Sequence, residues 1–214
     1  MKTKLNIFTN GFEGTWPAIE YGAQMAGKLG AHVTLTGVVE PTDADHPVED
    51  IYSRAVSLFQ DIQLEYSLEL SNGLVEDVIS RRFGSQADAV DGQSVHGQIL
   101  VVGPFGRPPV QRMIVGNSFR KIMSLASQPI LYVPAVRLPI GKVLVCMGGL
   151  GYTQTASAEG VKIAGALQAS VTFMTVVPPV DMDYPEARII RDNWKKLAET
   201  DTLPGRSLRD GLKM

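Results

Sequence analysis

Three glycines and their neighbours are the residues whose types and spacing best suit chemistry. Gly103-Pro104-Phe105-Gly106 is followed, after nine intervening residues, by Gly116-Asn117-Ser118. The chemistry that a Gly-x2-Gly-x9-Gly pattern would serve is phosphate binding. Gly103 and Gly106 carry no Cβ, so backbone can approach a ligand closely there. A helix opening at Gly116 would aim the unpaired N–H groups of residues 116–119 outward, with the positive end of its dipole behind them. Asn117 and Ser118 add side-chain donors, and Arg107, Arg112 and Arg120 bring positive charge nearby. The plainer reading is a tight strand exit and a helix start. Spacing alone does not choose between the two.

Other candidates are weaker. Asp43, Asp45, His46, Glu49 and Asp50 could be imagined around a metal. Acidic residues also belong in the first turn of a helix, where they favour its dipole, and no metal site is expected. His32 falls on a strand and His96 in a glycine-rich loop, with no Ser or Cys pairing to suggest a nucleophile and its base. No catalytic residue is expected. Cys146 reads as a small buried hydrophobe inside a strand. Trp16 and Trp194 read as core or interface residues, and Arg188 to Lys196 as a solvated helix face.

The elements that must position the glycine motif follow from hydrophobic periodicity. Strands are expected at Leu5 to Thr9, His32 to Val39, Leu64 to Leu70, Ile99 to Val102 and Ile130 to Val133. Helices are expected at Thr15 to Leu29, Val48 to Gln60, Leu74 to Phe83 and Ser118 to Ala126. Pro17 suits a first helical turn and Gly30 a helix end. Ile99 to Val102 is a continuous apolar run, as a central parallel strand requires. Pro129 and Pro134 bracket the last strand at its ends. Strand and helix alternate, so the fold class is α/β with a parallel five-stranded sheet and right-handed crossovers. Ligands on such sheets bind beyond the C-terminal strand ends, where strand order reverses. Those are the segments after Thr9, Val39 and Val102.

The sequence repeats. Shifted by 138 residues, Lys4 to Pro41 lies on Lys142 to Pro179 without a gap, and 14 of the 38 pairs are identical. Gly11/Gly149, Gly22/Gly160, Ala26/Ala164, Val33/Val171 and Val39/Val177 are among them. Duplication accounts for this better than two βαβ units obeying common packing rules. The expected domains are 1–137 and 138–214. Met214 corresponds to Glu76 of the first copy, so the second copy is expected to be incomplete and to lack its own phosphate loop. It should hold a strand at Lys142 to Met147, a helix at Thr153 to Leu167, a strand at Ala169 to Val177 and a helix at Pro185 to Glu199.

Composition narrows the function. The chain has 214 residues, of which 44% are hydrophobic and 20% charged, which is globular rather than disordered composition. The net charge of -2 offers no basic excess for a run of phosphates, so no nucleic-acid partner is expected. The single cysteine excludes a disulfide framework within the chain. No apolar run reaches the roughly 18 residues of a membrane span, and the N-terminus lacks the apolar core of a secretory signal. A cytoplasmic protein without a membrane partner is the expectation.

Ile99-Leu-Val-Val-Gly-Pro-Phe-Gly-Arg, Met113-Ile-Val-Gly-Asn-Ser-Phe and Ser127-Gln-Pro-Ile-Leu-Tyr-Val-Pro resemble the C-terminal half of a universal stress protein (UspA-like) domain. Residues 4–41 resemble that family's first strand, helix and second strand. The resemblance covers residues 4–134 and about 142–179, and tandem duplication is common in the family. It implies a sheet ordered 3-2-1-4-5 with helices on both faces, followed by a partial second copy. It implies a regulatory, non-enzymatic, stress-associated protein that binds ATP with Mg2+, although some members bind no nucleotide, and a homodimer joined near Ile130 to Val133. The implied adenine-nucleotide site comprises Asn10, Gly11, Val38, Gly103, Gly106, Arg107, Gly116, Asn117 and Ser118. Val38 matches a position packing on adenine, and Gly116 the phosphate-binding glycine. Two positions depart from the family's pattern. Asn10 stands where ATP-binding members have an aspartate that contacts the adenosine, and Asn117 where they have Ser or Thr. On that pattern, Asn10→Asp would tighten nucleotide binding. The alternative is a non-nucleotide regulatory or scaffold module acting through dimerisation. A cleft plugged by Phe12, Phe105 or the Pro108-Pro109 loop would favour that alternative. An ATP-cleaving enzyme on the same fold is the third and weakest reading.

Overall fold

The computed structural model describes residues 3–41, 48–84, 97–106, 118–126, 128–147, 154–175 and 193–202, with 205–206 and 208–209. Two compact units divide the chain, Met1–Leu138 and Pro139–Met214.

The first unit alternates strand and helix. In order come β1 (Lys4–Thr9), α1 (Trp16–Leu29), β2 (His32–Val39), α2 (Val48–Asp61), β3 (Tyr66–Asn72), α3 (Val75–Phe83), β4 (Gln98–Val102), α4 (Ser118–Leu125) and β5 (Ile130–Tyr132). The sheet order is β3-β2-β1-β4-β5, and every neighbouring pair is parallel. Leu5 pairs with Val33 on one side and Ile99 on the other. A strand flanked by strands and covered on both faces is buried along its length, and its polar side chains, here Asn6 and Thr9, are hydrogen-bonded within the protein. Accordingly Leu5 to Thr9 is buried without interruption. Gly30 closes α1 at φ 59, a left-handed conformation that glycine adopts without a Cβ clash.

β3 lies two residues later than the apolar pattern suggests. Leu64 still belongs to the turn that closes α2, its N–H donating to the Phe59 carbonyl at 2.9 Å. At the other end Gly73 donates to Val39 O at 3.1 Å, which carries the pairing on to Asn72. Backbone hydrogen bonding outweighs the turn propensity of Ser71-Asn72 here.

Helices cover both faces. On one, α3 and α4 enclose Phe8, Val38, Leu100 and Val102 with Val75, Val78, Ile79 and Ile122. Phe8 meets Phe83 edge to face at 6.0 Å. On the other face α1 lies close to β1. A Cβ on Gly22 would come within 2.7 Å of Ile7 Cδ1, so the glycine sets how near helix and strand can come.

The second unit holds β6 (Lys142–Met147), α5 (Gln154–Leu167), β7 (Ser170–Thr175) and α6 (Trp194–Glu199). β6 and β7 are parallel and pair Lys142 with Ser170, as β1 and β2 pair Lys4 with His32. Ala169 N donates to Ala164 O at 2.9 Å, as Ala31 N does to Ala26 O at 2.9 Å. Gly160 stands to Val145 as Gly22 stands to Ile7, a Cβ there falling 2.6 Å from Val145 Cγ2. Residues 138 apart thus make the same contacts in the two units.

Three expectations for this unit need correction. Cys146 is exposed, not buried. Strand side chains alternate, and α5 packs on the face carrying Val145, leaving Cys146 on the opposite face beside exposed Leu144. Trp194 is 53% exposed, which removes the core half of the reading core or interface. The helix expected over Pro185 to Glu199 begins, among the described residues, at Trp194. Asn193 is extended (φ −129), and its side chain caps the helix by accepting from the N–H groups of Lys195 and Lys196. Residues 176–192 lie outside the described residues.

Candidate functional site

The strand order reverses between β1 and β4, so the chain leaves these neighbouring strands toward opposite sides, and the cleft that such sheets use for ligands belongs beyond their C-terminal ends. The turn after β1 forms one wall. Thr9 Oγ1 and Thr15 Oγ1 lie 2.6 Å apart, both buried, and Gly11 N donates to Thr9 Oγ1 at 3.1 Å. The N–H and hydroxyl of Thr15 both donate to Phe12 O, at 2.8 and 2.7 Å. Glu13 pairs with Arg54 of α2 at 2.6 Å, and the Arg54 guanidinium stacks 4.0 Å over the Trp16 ring. The loop after β4 forms the other wall. Gly103 approaches the first so closely that a Cβ would fall 3.2 Å from Gly14 O and Thr15 Cα. The close approach at Gly103 is to the protein's own turn, whereas the sequence suggested a glycine there for approach to a ligand.

Asn10 joins the walls. It is buried, its amide Nδ2 donates to Phe105 O at 3.0 Å, and its Oδ1 accepts from Phe12 N at 3.3 Å. Gly11 follows at φ 84 and Gly106 lies at φ 64, both in the left-handed region. The Phe12 ring, half-buried, lies against Gly106. A Cβ at Gly106 or at Gly14 would overlap that ring.

Of the nine residues expected to form the site, Asn10, Gly11, Gly103 and Gly106 come together around this cleft. Val38 is fully buried in the core beneath α3, packed among the protein's own side chains. Ser118 opens α4. Arg107, Gly116 and Asn117 lie outside the described residues, as do Arg112 and the Pro108-Pro109 loop. Arg120 is exposed on α4. Phe105 is buried in the core, and its carbonyl accepts from Asn10. Of the three segments named as potential plugs, Phe12 is the one in the cleft among the described residues.

The metal candidates are described only in part. Glu49 and Asp50 are exposed on the first turn of α2, while Asp43, Asp45 and His46 lie outside the described residues. Among the described residues no three His, Cys, Asp or Glu side chains come together to hold a metal. None of the described helices is long and apolar enough to cross a membrane.

Two polar features escaped the sequence reading. Glu40, buried just beyond β2, accepts from Val75 N at 2.9 Å and so caps α3 from another element. Tyr52 of α2 inserts its hydroxyl into the sheet, accepting from Gly37 N at 2.6 Å and donating to Glu69 O. Burial raises the Tyr52 pKa above the ordinary tyrosine value, the nearby Glu69 carboxylate pushing the same way and the Gly37 hydrogen bond opposing. A glycine inside a strand signals such close approach, and a Cβ on Gly37 would lie 2.7 Å from the Tyr52 hydroxyl. Nothing comparable in the sequence points to Glu40.

No protein-family model matches the sequence, nor does any curated protein. Solved structures do match. A universal stress protein from Archaeoglobus fulgidus DSM 4304 is 11% identical, the match covering 88% of this chain and 71% of that one, with a TM-score of 0.57. A functionally unknown protein from Pseudomonas aeruginosa PAO1 is 15% identical, over 81% of this chain and 60% of that one, with a TM-score of 0.57. A universal stress protein in complex with cAMP is 16% identical, over 61% of this chain and 96% of that one, with a TM-score of 0.45. At these identities the likeness is one of fold. This chain has the fold of the universal stress proteins, with their five-stranded sheet ordered 3-2-1-4-5.

Proposed function

We propose that this chain is a regulatory protein of the universal stress type, whose first unit binds an adenine nucleotide beyond the C-terminal ends of β1, β2 and β4. The observation that carries this reading is the pair Gly103 and Gly106, standing where the strand order reverses and leading toward the start of α4. Asn10 and Gly11 face them across the cleft. Gly116, Asn117, Ser118 and Arg107 would take the phosphates, as backbone and side-chain donors at a helix start can. ATP with Mg2+ is the proposed ligand. Its role is to be bound rather than turned over, and phosphate release by the purified protein would count against that part. The protein acts in this reading as a homodimer.

The test is a thermal-shift titration with ATP, with and without Mg2+, because a ligand that binds only the folded state raises apparent stability. Gly116→Val should abolish the shift by placing a branched side chain where phosphate oxygens would meet the helix start. An unchanged affinity in that variant removes the phosphates from this loop.

A second reading draws on a different observation. Asn10 is engaged by the protein's own Phe105 carbonyl, and the Phe12 ring lies on Gly106. Such a self-filled cleft suits a module that works through protein contacts alone. Absence of any ATP-induced shift, with dimerisation intact, would favour it.

A further inference from the structure

We propose that the bare edge of β6 pairs antiparallel with the β6 of a second copy of this chain, Leu144 lying opposite the partner's Leu144. The inference rests on the homodimer reading and adds to it a contact made by the second unit. The repeat shows what this edge is built for. β1, the counterpart of β6, is a central strand: Lys4 N donates to Gly97 O at 2.9 Å, and Asn6 pairs with Leu100. Asn6 is 4% exposed, whereas its counterpart Leu144 is 57% exposed, because among the described residues β6 pairs with β7 alone. Strand edges that stay free are guarded by prolines, bulges or charges along their length. β6 reads Lys-Val-Leu-Val-Cys-Met, with no proline and its one charge at the first residue.

Backbone direction selects the register. Ser170 N donates to Gly141 O at 3.0 Å, so Gly141, Val143 and Val145 turn their polar backbone groups toward β7. Lys142, Leu144 and Cys146 turn theirs outward. A two-fold axis through a sheet relates identical edges antiparallel, and outward residues must then face outward residues. With Leu144 opposite the partner's Leu144, Lys142 falls opposite the partner's Cys146, and all three outward residues of each strand are paired. Two exposed leucines then cover one another. The two Lys142 ammonium groups stand at opposite ends, about 14 Å apart, beyond the screening length of about 8 Å at physiological salt. The edge is thus complementary to itself in both charge and hydrogen bonding, which singles out a second copy as its occupant.

The experiment is oxidative cross-linking of the full-length protein. Cys146 is its single cysteine, so Cys146→Ser gives a clean background. Leu144→Cys in that background places two sulfurs across a hydrogen-bonded pair with Cα atoms about 5.5 Å apart, within disulfide reach. Thr172→Cys, exposed on β7, would stand about 14 Å from its mate, as would Cys146 in the wild type. Leu144→Cys should form a covalent dimer at least tenfold faster than either. Equal or slower cross-linking, with light scattering still showing a dimer, overturns the β6 pairing and leaves the β5 contact standing. A monomer by light scattering overturns both. Amide exchange on the wild type keeps the test independent of the variants. The Lys142, Leu144 and Cys146 amides should exchange at least tenfold more slowly at tens of micromolar than after dilution to monomer. Exchange that ignores concentration overturns the pairing even if Leu144→Cys fails to fold.

Discussion

The side-chain amide of Asn10 donates a hydrogen bond to the main-chain carbonyl of Phe105 at 3.0 Å, across 95 residues of sequence. Only a donor can fill that role. Aspartate, which the family resemblance would set at this position, would bring a carboxylate oxygen against a carbonyl oxygen in a buried place. Asn10→Asp should therefore destabilise the ligand-free protein by about 1–3 kcal/mol, the cost of losing a buried hydrogen bond and leaving its acceptor unpaired. Urea unfolding measures it. If the variant matches the wild type in stability, the bond to Phe105 is not what fixes Asn10. Any gain in nucleotide affinity from the same substitution would have to outweigh this loss.

Tyr52 makes stability depend on alkaline pH. Its native pKa is raised, chiefly by burial, so the neutral phenol is the form that the fold favours. The stability that it contributes is fully present below the ordinary value of about 10 and is lost as pH rises through the raised native value. Tyr52→Phe should be less stable at neutral pH, because Gly37 N–H loses its acceptor, yet should fall away less steeply above about pH 10. Tyr21, raised by burial as well, leaves a residual slope. Parallel pH profiles for wild type and variant would refute this.

Glu40 holds the first turn of α3 from outside the helix. Glu40→Ala should cost about 1–3 kcal/mol, since the Val75 N–H would be left buried without its charged acceptor. Glu40→Gln retains an oxygen and should recover part of that stability. A loss confined to exposed segments in hydrogen exchange, sparing α3, would contradict the capping role.

The proposed homodimer would use the edge at β5. Tyr132 is 39% exposed there, stacked 4.2 Å from Phe119, and Met123 of α4 is 57% exposed. Light scattering at tens of micromolar should show a dimer, and Met123→Glu should shift it toward monomer by burying a charge in the contact. A wild-type protein that stays monomeric removes the dimer from the reading.

Much of this fold can be read from the sequence because each signal is local. The apolar run at Ile99 to Val102, the glycine after Leu29 and the repeat between residues 4–41 and 142–179 each reflect a rule that acts within one element. β3 slipped by two residues because its ends are set by bonds to α2 and β2. Cys146 came out exposed because burial depends on which face a helix covers, and its strand has a helix on the other side. The candidate site divides in the same way. Gly103 and Gly106 were legible as glycines at a strand exit. That Phe12 would lie on Gly106, and Asn10 on Phe105, depends on bringing together two loops about 95 residues apart in sequence, which no local pattern encodes.

The placement of β1 between β2 and β4 also sets an order of assembly. Strands β1, β2 and β3 pair through helices contained within residues 4–83, whereas β1 and β4 meet only when Gln98 returns to Lys4 and its side chain accepts from Asn6 at 3.1 Å. Closing so long a loop costs entropy before any contact repays it. A chain emerging from the ribosome therefore has β1 as a bare strand edge until β4 is synthesised, and Phe8 waits longer still for its cover from α4. The glycine pair that shapes the cleft follows directly behind β4, so the cleft closes in the same step that removes this aggregation-prone edge.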